Sequence, residues 1–187
     1  MNLPDAQPPI SGGALQLWAP TESELPMLAE VARAAYADHY LHYWEADDNG
    51  RYYMDLSFSE AALRREYADP NVYLCGLKLA GELVGYLKIN RVARSDDPPG
   101  LIGTELEKLY LRKAAAGRGL GSQAMAAADR IAIESGQGLI WLKVMAENHA
   151  TVRFYQRLGF AAVHRFRIDI PHMHDHLRGM LVMARKL

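Results

Sequence analysis

Residues 106–122, LEKLYLRKAAAGRGLGS, join two incompatible periodicities through three closely spaced glycines. Across residues 105–111, charged positions alternate with apolar or aromatic ones, which is the period of a strand. From Leu120 onward, the apolar positions Leu120, Ala124, Met125, Ala128, Ile131 and Ala132 have the period of a helix. Gly117, Gly119 and Gly121 therefore fall in a strand-to-helix turn. Lacking side chains, they leave the first N–H groups of the helix uncovered at the positive end of its dipole, where a pyrophosphate is favoured. Arg118 can add charge, and Leu120 and Ser122 share the same first turn. Glycine turns before helices are common, so the turn alone does not separate an anion site from a plain connection.

A second motif lies about thirty residues downstream. It runs Asn148-His-Ala-Thr-Val-Arg-Phe-Tyr155-Gln-Arg-Leu-Gly159-Phe160 and follows an apolar strand pattern at residues 138–145. The two motifs, in this order and at this separation, resemble the GNAT family of acetyl-CoA-dependent N-acetyltransferases. The resemblance implies that Gly119 and Gly121 occupy the glycine positions of an R/Q-x-x-G-x-G/A loop. Ala116 departs from the family pattern, which places Gln or Arg there, so the backbone contribution to pyrophosphate binding is kept and the side-chain contribution is in question. Nearly the whole chain is covered once the flanking elements are included.

The resemblance implies acetyl-CoA as co-substrate and direct attack by an amine in a ternary complex without a metal. It assigns Asn148 to pantetheine contact, compatible with an ordinary N-cap role, and Tyr155 to protonation of the departing thiolate. Splayed strands would leave the peptide groups of Leu109, Tyr110 and Leu111 available to pantetheine and to the thioester oxygen. Glu105 and Glu107 are the candidate bases. They share one side of the strand unless a bulge intervenes, and either could be a merely solvated strand residue. Glu105 aligns with the glutamate of the histone-acetylating branch. The branch that acetylates protein N-termini keeps its base five residues before the Asn; Lys143 stands there, which excludes that version. A water chain to bulk is a further route for the proton. The chain as a whole is also similar to bacterial polyamine acetyltransferases of the PaiA type, implying a small cationic amine as acceptor. Other amines, a protein lysine or an N-terminus are alternatives, and a non-catalytic acyl-CoA sensor is the alternative of another class.

With 187 residues, half of them hydrophobic, the chain can bury the core of one domain. A net charge of −1 without blocks of like charge gives no footprint for nucleic acid or an anionic membrane. One cysteine, Cys75, cannot form an internal disulfide, and the N-terminus has no basic or apolar targeting region, so a cytoplasmic location is expected. No apolar run reaches spanning length.

In chain order, residues 1–14 read as a flexible leader and residues 15–187 as the catalytic domain. A strand is expected at residues 15–19, and a helix begins at the Thr21/Glu24 capping box. The aromatic and acidic stretch 39–55 reads as a surface loop with Tyr and Trp anchored on the body, or as an acceptor-binding wall whose Glu45, Asp47 and Asp48 would attract a second ammonium. Ser59 caps a helix, Ala80-Gly81 joins two antiparallel strands, and residues 105–145 form a β-α-β unit whose strands run parallel. Two final strands flank a loop holding His172, His174 and His176, three histidines that would share a face if extended. The fold expected is one α/β domain, a mixed and mostly antiparallel sheet with a central parallel β-α-β unit flanked by helices. A homodimer through final-strand exchange or a sheet edge is compatible with it.

Overall fold

Continuous buried runs in the central strands require cover on both faces of a sheet, and two helical layers supply it. The computed structural model describes residues 13–187, so the expected leader lies outside the described residues except for positions 13 and 14. Among the described residues, the seven strands are β1 (Gln16–Trp18), β2 (Val72–Leu79), β3 (Glu82–Arg94), β4 (Ile102–Leu111), β5 (Leu139–Met145), β6 (Ala161–Arg167) and β7 (Gly179–Lys186). They lie in the order β1-β2-β3-β4-β5-β7-β6. Only β4 and β5 pair parallel; the other neighbours are antiparallel. The last strand in sequence is thus interior, and β1 and β6 are the edges.

Helices α1 (Leu25–Tyr40), α2 (Arg51–Phe58) and α3 (Glu60–Tyr67) cover one face, where Leu25, Leu28, Phe58 and Leu63 pack with Leu74 and Tyr86. Helices α4 (Leu120–Glu134) and α5 (His149–Arg157) cover the other, where Ala124, Met125 and Tyr155 pack with Leu87, Leu106 and Leu142. Each fully buried leucine side chain contributes roughly 1.5–3 kcal/mol. Local chemistry sets the boundaries. Thr21 N–H donates to Glu24 Oε2 at 2.8 Å just before α1, and Ser59 Oγ accepts from Ala62 N–H at 3.2 Å to start α3. Ala80 and Gly81 both have positive φ, 51° and 85°, the two-residue turn whose twist matches an antiparallel pair.

Residues 39–55 depart at both ends from the loop expected of them. His39 and Tyr40 end α1, a 3-10 turn follows at Leu41–Tyr43, and Arg51 begins α2. Between them the loop reading holds, with Tyr43 and Trp44 anchored in the core at 7% and 3% exposure and the Trp44 indole donating to Tyr36 Oη at 2.9 Å. Asp48 is equally buried because both its carboxylate oxygens accept from Tyr52 N–H, at 3.1 and 3.2 Å, pinning the start of α2. The histidines at 172, 174 and 176 do not converge. The rings of His174 and His176 stack on each other, while His172 has positive φ and lies 3.5 Å from Glu45.

Candidate active site

Strands β4 and β5 pair from Thr104/Ile140 to Leu106/Leu142 and then part. Beyond that point β5 continues on β7 as far as Met145/Met180, while β4 runs on beside β3 to Leu111/Gly85. A wedge opens between them. Arg112 N–H bonds Val84 O on the β3 side, so by alternation the peptide groups of Leu109 and Leu111 face the wedge. The Leu111 carbonyl there is within 3.0 Å of His39 Nε2.

Two clefts meet in this wedge. The first, about 470 Å³, runs from Leu109 and Leu111 past Gly117, Gly119, Leu120, Gly121 and Ser122. Gly119 is the N-cap of α4 at φ 72°, and the first bond of the helix is Gln123 N–H to Gly119 O at 3.2 Å. The N–H groups of Leu120, Gly121 and Ser122 precede that bond and have no intrahelical acceptor. Free donors at the positive end of a helix are what anion binding requires. Gly121 has a second reason to be glycine: a Cβ there would meet the Phe154 ring at 3.1 Å, so its absence lets α4 approach α5. Arg118 is not on the cleft wall, and its Nη1 is buried without a hydrogen-bond partner among the described residues. Arg157, which no motif singled out, is on the wall and offers the cation instead.

The second cleft, about 440 Å³, is floored by Glu105, Glu107, Lys108 and Lys143. Pairing of Lys88 with Lys108 but of Ile89 with Leu106 makes Glu107 the extra residue of a β-bulge. The bulge does intervene, yet it brings the two carboxylates together: Asn90 Nδ2 donates to Glu105 Oε2 at 2.8 Å and to Glu107 Oε2 at 2.9 Å. Glu107 is also clamped by Lys88 at 2.6 Å and Lys108 at 2.7 Å, and Glu66 closes this group at 2.6 Å from Lys88. Burial opposes ionisation of Glu107, but the two lysines overcome it and hold its pKa at about 2. Glu105 is raised above the ordinary carboxylate value, first by burial and then by the charge of Glu107, which together outweigh the Asn90 hydrogen bond and the charges of Lys143 and Lys88.

Tyr40, Leu109, Tyr110, Thr151 and Tyr155 line both clefts. Tyr155 is 8% exposed, and burial raises its phenol well above the usual value, so it is a neutral O–H donor at any physiological pH. Asn148 caps α5, its Oδ1 accepting from Thr151 N–H at 3.1 Å, and lines the second cleft. Glu45, Asp47 and Asp48 line neither cleft, which corrects the reading of them as an acceptor wall. Asn90, Lys88, Lys108 and Glu66 carried no sequence signal, because cross-strand register and a bulge bring them together.

A wedge between two parallel strands, closed at one end by free helix N–H groups, accompanies a match of residues 27–160 to the acetyltransferase (GNAT) family. The chain belongs to the GNAT family. It is 30% identical over 139 residues to an uncharacterized N-acetyltransferase in the pepI 3′ region of Lactobacillus delbrueckii subsp. lactis, a match covering 74% of this chain and 80% of that one. It is 32% identical over 109 residues to the N-alpha-acetyltransferase RimI of Mycobacterium tuberculosis, covering 58% of this chain and 65% of the relative. Among solved structures, the PaiA N-acetyltransferase of Thermoplasma acidophilum in complex with coenzyme A has a TM-score of 0.69 at 18% identity, covering 94% of this chain and 100% of the other. The GNAT chain described here is an acyltransferase that uses acetyl-CoA, and its mixed seven-stranded sheet is the GNAT fold. The first cleft fits that co-substrate: free N–H groups for the pyrophosphate and outward peptide groups at Leu109 and Leu111 for an extended amide-bearing arm. No helix among the described residues is long and apolar enough to cross a membrane.

Proposed function

We propose that this enzyme acetylates the primary amine of a small cationic acceptor bound in the second cleft, by direct attack in a ternary complex. The observation that carries the proposal is the junction: the two clefts meet at Tyr155 and Leu109, with Glu105 on the floor of the second. Acetyl-CoA supplies an electrophilic thioester carbonyl and a thiolate leaving group. Glu105, more basic than an ordinary carboxylate, takes a proton from the acceptor ammonium directly or through one water. The amine nitrogen then bonds to the acetyl carbon as the carbon–sulfur bond breaks, Tyr155 gives its proton to the sulfur, and the proton shed by the new amide nitrogen restores the phenol through water. Peptide N–H groups of Leu109 and Leu111 hold the carbonyl oxygen, whereas that of Tyr110, expected to join them, turns toward β3.

Glu107 has a different part. Its charge is neutralised by Lys88 and Lys108, so it fixes the floor rather than moving a proton. Cys75 is fully buried in the core with its thiol pushed up to about 12, which argues against an acetyl-cysteine relay. Its unpaired state suits the cytoplasm, where we place the enzyme.

The test is CoA release across a panel of small primary amines and one peptide N-terminus, in the wild type and in Glu105→Gln. Turnover of a small amine that falls at least about a hundredfold in the variant supports the proposal. Turnover of the peptide alone would replace the acceptor, and amine turnover unaffected by the variant would replace the base.

A further inference from the structure

Every charged group on the wall of the second cleft belongs to the floor, and each already has an opposite partner. Glu107 is held by Lys88 and Lys108, and Lys143 lies 4.0 Å from Glu105. The remaining surface is uncharged. Its apolar part is formed by Met145 at the end of β5, by Ile168, Ile170 and Met173 from the segment between β6 and β7, and by Met180 of β7. Its aromatic part is formed by Tyr36, Tyr40, Tyr43 and Tyr53. Burial raises the Tyr40 phenol to about 12 and also raises those of Tyr36 and Tyr43. Their faces are occupied by one another, with ring centroids 5.0 Å apart for Tyr36 and Tyr40 and 4.9 Å for Tyr36 and Tyr53, so they do not form an open cage for a cation. The carboxylates that could have met a second ammonium, Glu45, Asp47 and Asp48, are elsewhere.

We infer that the acceptor is an amphipathic primary monoamine, with one ammonium on the Glu105 floor and an apolar alkyl or aryl body against the Met/Ile wall. The inference rests on the amine-acetylating reading above and narrows it. A second ammonium at the far end of the molecule would be desolvated against methionine and isoleucine with no carboxylate to receive it, whereas a methyl group there gains by burial.

The pair n-hexylamine and 1,5-diaminopentane isolates this difference, since they match in length and differ only in a terminal methyl or ammonium. With the full chain and saturating acetyl-CoA, kcat/KM for n-hexylamine should exceed that for the diamine by at least about tenfold. Ile170→Glu places a carboxylate on the half-buried part of the wall and should shift that ratio toward the diamine by at least about tenfold, with an unchanged melting temperature reporting an intact fold. Equal rates, a preference for the diamine, or a ratio indifferent to Ile170→Glu in folded protein would overturn the inference. Calorimetric titration of both amines into the CoA-loaded protein separates this result from the fate of the acetylation reading. Should no amine be acetylated, that reading fails, while tighter binding of n-hexylamine supports the amphipathic site and equal or weaker binding overturns it.

Discussion

Glu105 and Glu107 accept hydrogen bonds from one amide group, Asn90 Nδ2, at 2.8 and 2.9 Å, across a bulge that would otherwise have unpredictable consequences for their facing. Their surroundings then drive them apart. Two lysines touch Glu107, while Glu105 has Lys143 only at 4.0 Å. Two carboxylates on one strand thereby acquire opposite shifts, one fixed as an anion and one poised to take a proton.

Glu105→Gln keeps the Asn90 contact sterically but cannot accept a proton. The expected loss in kcat/KM is about 10² to 10⁴ near neutral pH. In the wild type, activity should fall as the pH drops through the raised Glu105 value, because the base is lost on protonation. A pH–rate profile of kcat/KM from about pH 4 to about pH 8 checks this, and the variant should lack that acid limb.

Glu107 should be read out in stability instead. Its pKa is depressed in the folded protein, so its contribution is fully present above the ordinary value of 4.5 and is lost as the pH falls toward about 2. Glu107→Gln should cost roughly 1–3 kcal/mol at neutral pH, less than for a fully buried pair because this side chain is 28% exposed. Urea unfolding at successive pH values should show a shallower acid loss in the variant than in the wild type. Equal slopes would place the acid sensitivity elsewhere.

The two loop glycines should separate by mechanism. At Gly119 the φ of 72° is the constraint and there is open space around a Cβ, so Gly119→Ala should cost about 1–3 kcal/mol through the backbone alone. Gly121→Val should cost a similar amount by pressing on Phe154, and should loosen α4 against α5. Both changes disturb the first N–H groups of α4, so calorimetry should show CoA binding weakened by at least about tenfold in each. An unchanged dissociation constant in a folded variant would make the turn purely structural.

What the sequence disclosed and what it hid follow from range. The strand-to-helix turn, the Asn148 cap and the ends of β5 are written in contiguous residues, and they lie where periodicity and capping place them. Within 39–55, Glu45 and Asp47 are exposed and Tyr43 and Trp44 anchored as a surface loop requires, whereas Asp48 and the helix from Arg51 were not foreseen. Asp48 is buried by serving the backbone of α2, and the aromatic residues around it fill the core beneath α1. Asn90 and the lysine clamp could not be seen, since they depend on antiparallel register between β3 and β4 and on where that register slips. Arg118 and Arg157 exchanged prominence for the same reason: proximity in sequence favoured the first, and the packing of α5 put the second on the cleft wall.

Tyr155 sits at the meeting of the clefts with its ring packed on Phe154 and Phe160, at centroid separations of 5.1 and 5.6 Å. Removing the hydroxyl should leave that packing in place, so Tyr155→Phe should melt close to the wild type and bind acetyl-CoA with nearly the same affinity. Its proton matters only as the carbon–sulfur bond breaks. General acid catalysis is worth about 10² to 10⁴ in rate, and a thiolate is already a fair leaving group, so kcat should fall by at least roughly tenfold. A thioester with a less basic thiol needs the acid less and should rescue the variant more than the wild type. The phenol also separates two readings of its own burial. If Tyr155 is the acid, kcat falls without a change in stability; if it is only a core residue, kcat and the leaving-group dependence of the two proteins are the same. Wild-type kcat in the variant, with chemistry shown to be rate-limiting, would remove Tyr155 from the proton path and leave a water in the wedge between β4 and β5 as the donor.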